Sequence, residues 1–158
     1  MEYLSTRNSK LNKNFKDIVM EGLSMDGGLY MPREWPKVSL NDLKNLQYDE
    51  VAFEVMYPYC NESISEEFLR LIIKKTYKSF HHVKTAPLIS LGDHKFVLEL
   101  FYGPTFAFKD YALQFLGHLF EHFLKNEKKQ ISVIGATSGD TGSAAIDACK
   151  LKKNMNLF

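Results

Sequence analysis

The stretch Glu99-Leu100-Phe101-Tyr102-Gly103-Pro104-Thr105-Phe106-Ala107-Phe108-Lys109-Asp110 sets one lysine among aromatic residues just after an apolar run. An ammonium with rings packed around it loses hydration, and desolvation favours the neutral amine. A neutral lysine amine is a nucleophile: it can condense with an aldehyde and afterwards carry protons to and from a substrate. The same placement also suits a lysine whose stem lies on the rings while its charge stays in water.

A second stretch offers a binding chemistry. The β-branched run Ile131-Ser132-Val133-Ile134 leads into Gly135-Ala136-Thr137-Ser138-Gly139-Asp140-Thr141-Gly142, and Ser143 to Lys150 is helix-prone. Strand, glycine-rich turn and helix make an anion-binding arrangement, because the N–H groups of the first helical turn point at the ligand and the helix dipole favours negative charge there. A P-loop would need lysine after the last glycine, where Ser143 stands, and the glycine spacing is wrong for a dinucleotide fingerprint. The hydroxyls of Thr137, Ser138 and Thr141 suit a carboxylate or a ring oxygen. An ordinary βα turn capped by Thr141 or Asp140 would have the same sequence.

Other candidates are weaker. Ser5, Thr6 and Arg7 could meet a phosphate, or form a surface strand with a solvated arginine. His81-His82 are adjacent at a helix end and read as solvated loop residues. His118 and His122 share zinc-ligand spacing but lack the accompanying acid, which favours a polar helix face.

Two of these stretches together, and in this order, resemble a known signature. Gly103 to Asp110 followed by Ala136-Thr137-Ser138-Gly139-Asp140-Thr141-Gly142-Ser143-Ala144-Ala145 is similar to the paired motifs of threonine synthases, pyridoxal-phosphate enzymes of the tryptophan-synthase-β fold type. The opening Tyr3-Leu4-Ser5-Thr6-Arg7, then Gly22-Leu23-Ser24-Met25-Asp26-Gly27-Gly28-Leu29-Tyr30-Met31-Pro32, resembles that family rather than the related dehydratases or cysteine synthases. The resemblance implies that Lys109 holds pyridoxal phosphate, with Phe108 and Asp140 beside the cofactor. It implies that Thr137, Ser138, Gly139, Asp140 and Thr141 receive the substrate carboxylate, and that Ser5, Thr6 and Arg7 contact substrate. The implied reaction converts O-phospho-L-homoserine and water to L-threonine and phosphate. Two small departures, Tyr111 for phenylalanine and Ser143 for alanine, leave this chemistry alone. The alternatives are a serine/threonine dehydratase, a threonine-synthase-like phospholyase, or a cofactor-free relic that serves as a binding module.

The elements that must position these residues read as follows. A short strand at Tyr3-Leu4-Ser5-Thr6 precedes a helix from Phe15 to Glu21, capped by Asn14 and stopped at Gly22. Asp26-Gly27-Gly28 turns the chain into Leu29-Tyr30-Met31, and Pro32 and Pro36 exclude regular structure around Trp35. Helices are expected at Leu40–Leu46 with Ser39 as cap, at 48–57 ended by Pro58, and at 66–80 with Ser63 or Ser65 as cap. The second of these should bury Val51, Ala52, Val55 and Met56; the third, Phe68, Leu69, Ile72, Ile73, Thr76 and Tyr77. A hairpin around Gly92-Asp93 delivers the chain to the lysine loop. A long helix follows from Asp110 to Lys125, with Ala112, Phe115, Leu116, Leu119, Phe120 and Phe123 on its apolar face.

The expected fold class is α/β: a small helical amino-terminal domain over 1–85, then the incomplete start of a parallel-sheet, tryptophan-synthase-β-like catalytic domain over 86–158. The strand at Ile131 and the following helix form two parts of a βαβ unit whose returning strand should begin near Asn156-Leu157-Phe158. A parallel sheet left there has an open edge, so the expected partner of this segment is a carboxy-terminal remainder of the same enzyme, without which it would not catalyse.

Composition is consistent with this. The 158 residues are 45% hydrophobic and 13% aromatic, enough for a globular core. A formal charge of +1 gives no electrostatic reason to expect nucleic acid or an anionic membrane as partner; a small-molecule substrate fits better. Cys60 and Cys149 have no disulfide-framework or zinc spacing, which suggests reduced thiols in the cytoplasm.

Overall fold

The computed structural model describes the backbone of residues 1–158 and every side chain except that of Asn126. The chain divides into two compact units, Met1–Leu71 and Ile72–Phe158.

In the first unit, β1 (Tyr3–Ser5) is the middle strand of an antiparallel sheet, between β2 (Asn8–Lys13) and β3 (Tyr30–Pro32). Tyr3 faces Lys13 on one side and Pro32 on the other. Pro32 is tolerated because β3 is an edge, where a missing N–H costs no ladder bond. β2 was not expected from the sequence: Asn8-Ser9-Lys10-Leu11-Asn12-Lys13 is polar and lacks strand alternation, and pairing with β1 creates it.

α1 (Phe15–Glu21) is capped as its sequence predicts. The Asn14 side chain accepts from the Asp17 N–H at 2.9 Å, and Gly22, with φ of 74°, donates its N–H to the Ile18 carbonyl. α2 is shorter than expected, Leu40–Leu43, and Ser39 gives it no side-chain cap. α3 (Tyr48–Cys60) runs through Pro58 instead of ending before it. Burial overrides the local rule: Cys60 at its last turn is buried, and the Tyr59 carbonyl accepts from the Tyr3 hydroxyl at 2.7 Å. The same helix buries Ala52 and Phe53 while Val55 is exposed, a rotation from the expected face. Phe53 stacks on Tyr57 and also lies under the Arg70 guanidinium, 3.4 Å from the ring centroid.

α4 spans Glu66–Tyr77, three residues short of the expected end, with the Phe68 N–H donating to Ser65 as its cap. Leu69, Ile72, Ile73, Thr76 and Tyr77 form its buried stripe as predicted, with Phe68 only half-buried.

In the second unit, β4 (Leu88–Gly92) and β5 (Lys95–Leu98) form the expected hairpin. Its strand residues are exposed on both faces, including Leu88, Leu91, Phe96 and Leu98. α5 (Asp110–Glu127) buries Leu119, Phe123 and Leu124, while Ala112 is exposed rather than part of the apolar face. β6 (Ile131–Val133), α6 (Asp140–Cys149) and β7 (Met155–Leu157) complete the βαβ unit, the two strands pairing in parallel with Ile131 opposite Met155. The returning strand therefore stands where the sequence put it.

α5 and α6 are packed tightly. A Cβ at Gly117 would lie 2.6 Å from the Ala148 carbonyl oxygen, so only glycine permits this approach. Contacts climb both helices in step: Gln114 to Asp147, Gly117 to Ala148, and Glu121 to Lys152 just past the end of α6. The two helices thus run in the same direction, with both N-termini at one end of the pair.

Candidate functional site

The lysine loop is held from behind by the residue after the lysine. Asp110 is fully buried; its carboxylate accepts from the Thr105 N–H at 2.8 Å, from the Thr105 hydroxyl at 3.0 Å and from the Gln114 amide at 3.3 Å. A Cβ at Gly103 would come within 2.3 Å of the Asp110 Cβ, so glycine is required for the loop to close on this carboxylate. In the sequence, Asp110 reads only as the residue that opens α5. The signal for more was Thr105 five residues upstream of a helix-opening acid, with the breaker Gly103-Pro104 between them and the preceding strand.

Lys109 occupies the N-cap position of α5 with helical backbone, φ −61°. Its side chain is half-buried, and Nζ lies 4.7 Å from the centroid of the Phe108 ring. Among the described residues it has no carboxylate partner. The rings do not enclose it as the sequence suggested: Phe106 and Phe108 are 68% and 54% exposed. Phe106 adopts φ of 59°, a rare state for a bulky residue, and is braced by the His81 ring 5.5 Å away. The His82 ring lies 4.7 Å from Tyr102, and the His81 N–H donates to the Tyr102 carbonyl. The adjacent histidines, expected as solvated, therefore flank the aromatic loop.

The glycine-rich turn is organised by Thr137. Its hydroxyl oxygen accepts from the Gly142 N–H at 2.9 Å and the Gly139 N–H at 3.3 Å, so neither Asp140 nor Thr141 caps α6. Gly139 takes the N-cap with φ of 148°, open to glycine alone. The rest of the first-turn N–H groups have no intrahelical acceptor. Ser138 and Asp140 are exposed, as is Thr141, and Asp140 starts the helix. The Ser143 hydroxyl donates back to the Gly139 and Asp140 carbonyls. Thr137, Thr141 and Gly142 also line a cleft of about 710 Å³ whose apolar side comprises Val133, Ile146 and Phe158. Lys109 is not among its lining residues.

In the first unit, Ser5, Thr6 and Arg7 fasten the glycine turn. The Ser5 hydroxyl and the Gly28 N–H both donate to Asp26 Oδ1 at 2.8 Å, and these bonds hold the Asp26 carboxyl below its usual range, the Gly28 bond first. The Leu29 N–H donates to the Thr6 hydroxyl oxygen, and Arg7 Nη1 donates to the Asp26 carbonyl. Ser5 is buried, while Thr6 and Arg7 are exposed.

His118 differs from its sequence reading. It is not on a polar helix face: its side chain is 13% exposed, with Nδ1 3.0 Å from the Lys152 ammonium, which also donates to Glu121 at 2.6 Å. Burial, with the nearby Lys152 and Lys75 charges, pushes the imidazole down to about 4, so it is neutral and accepts from Lys152. Among the described residues, no group of three or more His, Cys, Asp or Glu is arranged to hold a metal ion, and no helix is long and apolar enough to cross a membrane.

Residues 2–77 match the family described as threonine synthase N terminus. The chain is 45% identical to the threonine synthase of Pseudomonas aeruginosa over 161 aligned positions, which takes in 100% of this chain and 34% of that protein. Among solved structures, the threonine synthase of Brucella melitensis with PLP bound superposes with a TM-score of 0.95 at 38% identity, over 100% of this chain and 35% of that one. Yeast threonine synthase gives 0.93 at 43% identity, over 99% and 34%. The chain thus spans about a third of the length of these relatives. Over its whole length the chain is similar to the amino-terminal third of threonine synthases.

Proposed function

We propose that the protein carrying this chain is a threonine synthase, a pyridoxal-phosphate-dependent carbon–oxygen lyase that converts O-phospho-L-homoserine and water to L-threonine and phosphate. One observation carries the reading: a lysine that has no carboxylate partner among the described residues sits at the N-terminus of α5, and the N–H-rich start of α6 lies at the same end of that helix pair. An amine so placed suits an aldehyde, and the first turn of α6 suits a negative ligand. The residues present therefore fit the reactive end of pyridoxal phosphate. When bound, that cofactor supplies an electron sink for carbanion chemistry.

The chain's own residues divide the remaining work. Lys109 would hold the cofactor and, as a free amine at Nζ, would take and return substrate protons. Phe108 presents its ring face under Nζ and limits the side chain's sweep. Thr137 keeps its hydroxyl on the Gly139 and Gly142 N–H groups, which shapes the turn. Ser138 and Thr141 offer hydroxyls, and Asp140 its backbone N–H, to the substrate carboxylate. Within the first unit, Ser5, Thr6 and Arg7 form an anion-binding edge of their own. There Arg7 carries the positive charge, and Ser5 fixes the turn through Asp26.

The test is product analysis of the protein with pyridoxal phosphate. Threonine and phosphate from O-phospho-L-homoserine are expected. Turnover of serine or threonine to a keto acid without turnover of the phosphorylated substrate would assign a dehydratase instead.

A further inference from the structure

The amide of Gln114 lies between two carboxylates: Nε2 is 3.3 Å from Asp110 Oδ1 and 2.9 Å from Asp147 Oδ2. Carboxylates accept only, so the amide must present its NH₂ side, which has one N–H for each. Asp110 in turn holds Thr105 and is bonded directly to Lys109 along the chain. Asp147 is in the last turns of α6, about 10 Å along the axis from Asp140 at the rise of a regular helix. A continuous set of hydrogen bonds therefore runs from the lysine loop, across α5, to the helix that carries the glycine-rich turn.

From this we infer that Gln114 is a positioning residue: it locks the axial register of α5 against α6 and so sets Lys109 relative to the Thr137–Thr141 turn. The role of those two loops rests on the function proposed above. The lock is directional in a way that apolar packing is not. Gly117 against Ala148 permits close approach, but smooth helix surfaces slide along ridges, whereas an amide spanning two acceptors fixes displacement along the axis. Glutamate at this position would be isosteric and would place three carboxylates together. The Lys150 ammonium also pairs with Asp147, but from the exposed side and within the same stretch of chain, so it contributes nothing to the register between helices.

The test is amide hydrogen exchange on the protein carrying this chain, read by mass spectrometry. Gln114→Met keeps the volume and removes the donors. Exchange is expected to rise about tenfold in residues 103–109 and 136–142 together, with the rest of α5 unchanged. Gln114→Asn keeps the polarity but is too short to reach both acceptors, and should give the same coupled rise. Lys150→Met should leave both loops at their original rates. A rise confined to residues beside 114, a rise in one loop only, or a rise over the whole unit would overturn the inference; the Asn variant decides the matter if the Met variant does not fold. Borohydride reduction in the presence of pyridoxal phosphate separates the two readings. A coupled exchange response with Lys109 unlabelled refutes the cofactor site and leaves the lock standing, while labelled Lys109 with uncoupled loops refutes the lock alone.

Discussion

The Thr105 hydroxyl lies 3.0 Å from both carboxylate oxygens of Asp110, and the Thr105 N–H donates to one of them at 2.8 Å. This pairing curls the loop back onto the start of α5. Replacing Asp110 by alanine strands two donors of Thr105 and one of Gln114, at a cost of about 3 kcal/mol. Chemical denaturation should show that loss as a lower midpoint with an unchanged slope. Gly103→Ala should be at least as damaging, because its Cβ has no room beside Asp110.

Lys109→Ala should abolish the visible absorbance that pyridoxal phosphate gives to the protein, with little change in thermal midpoint, since the ammonium makes no ion pair among the described residues. A variant that keeps a borohydride-reducible chromophore would remove Lys109 from its proposed role.

At the glycine turn, Thr137→Val removes the oxygen that accepts from Gly139 and Gly142. The expected cost is about 1 kcal/mol in stability, as for loss of a helix cap, with a higher KM for the amino-acid substrate. Gly142→Ala should have the same effect on KM, because its Cβ would sit 2.5 Å from that hydroxyl.

Stability should depend on pH through His118. Its pKa, about 4 when folded against 6.5 for the unperturbed group, is depressed, so the unfolded chain binds the proton more readily. The contribution is complete above pH 6.5 and is lost as pH falls towards 4, on the order of 3 kcal/mol at most. Burial disfavours the Glu121 charge, yet the Lys152 bond holds that carboxyl below its usual range, so Glu121 acts in the same direction but at lower pH. Unfolding free energies measured between pH 4 and 7 should flatten in His118→Gln.

How far the sequence could be read depended on how local each cause was. The caps of α1 were legible because Asn14 and Gly22 act on their own helix. The βαβ unit at the end was legible because a parallel return needs a fixed length of chain. β2, by contrast, exists through its neighbour strand, and α3 passes Pro58 because Cys60 is buried and the Tyr59 carbonyl accepts from Tyr3 elsewhere in the unit. At the site, Lys109 was marked by its aromatic company, while Asp110 and Gln114 were not. Their significance comes from a loop that folds back and from a helix more than 30 residues further on, and neither relation leaves a periodic trace.

The β4–β5 hairpin has a practical consequence. Two strands alone are marginal in water, and these carry Leu88, Leu91, Phe96 and Leu98 in full view of solvent, with backbone edges ready to pair. Preparations of these 158 residues by themselves are therefore expected to turn cloudy as they are concentrated, and charged substitutions on that ribbon should keep them clear.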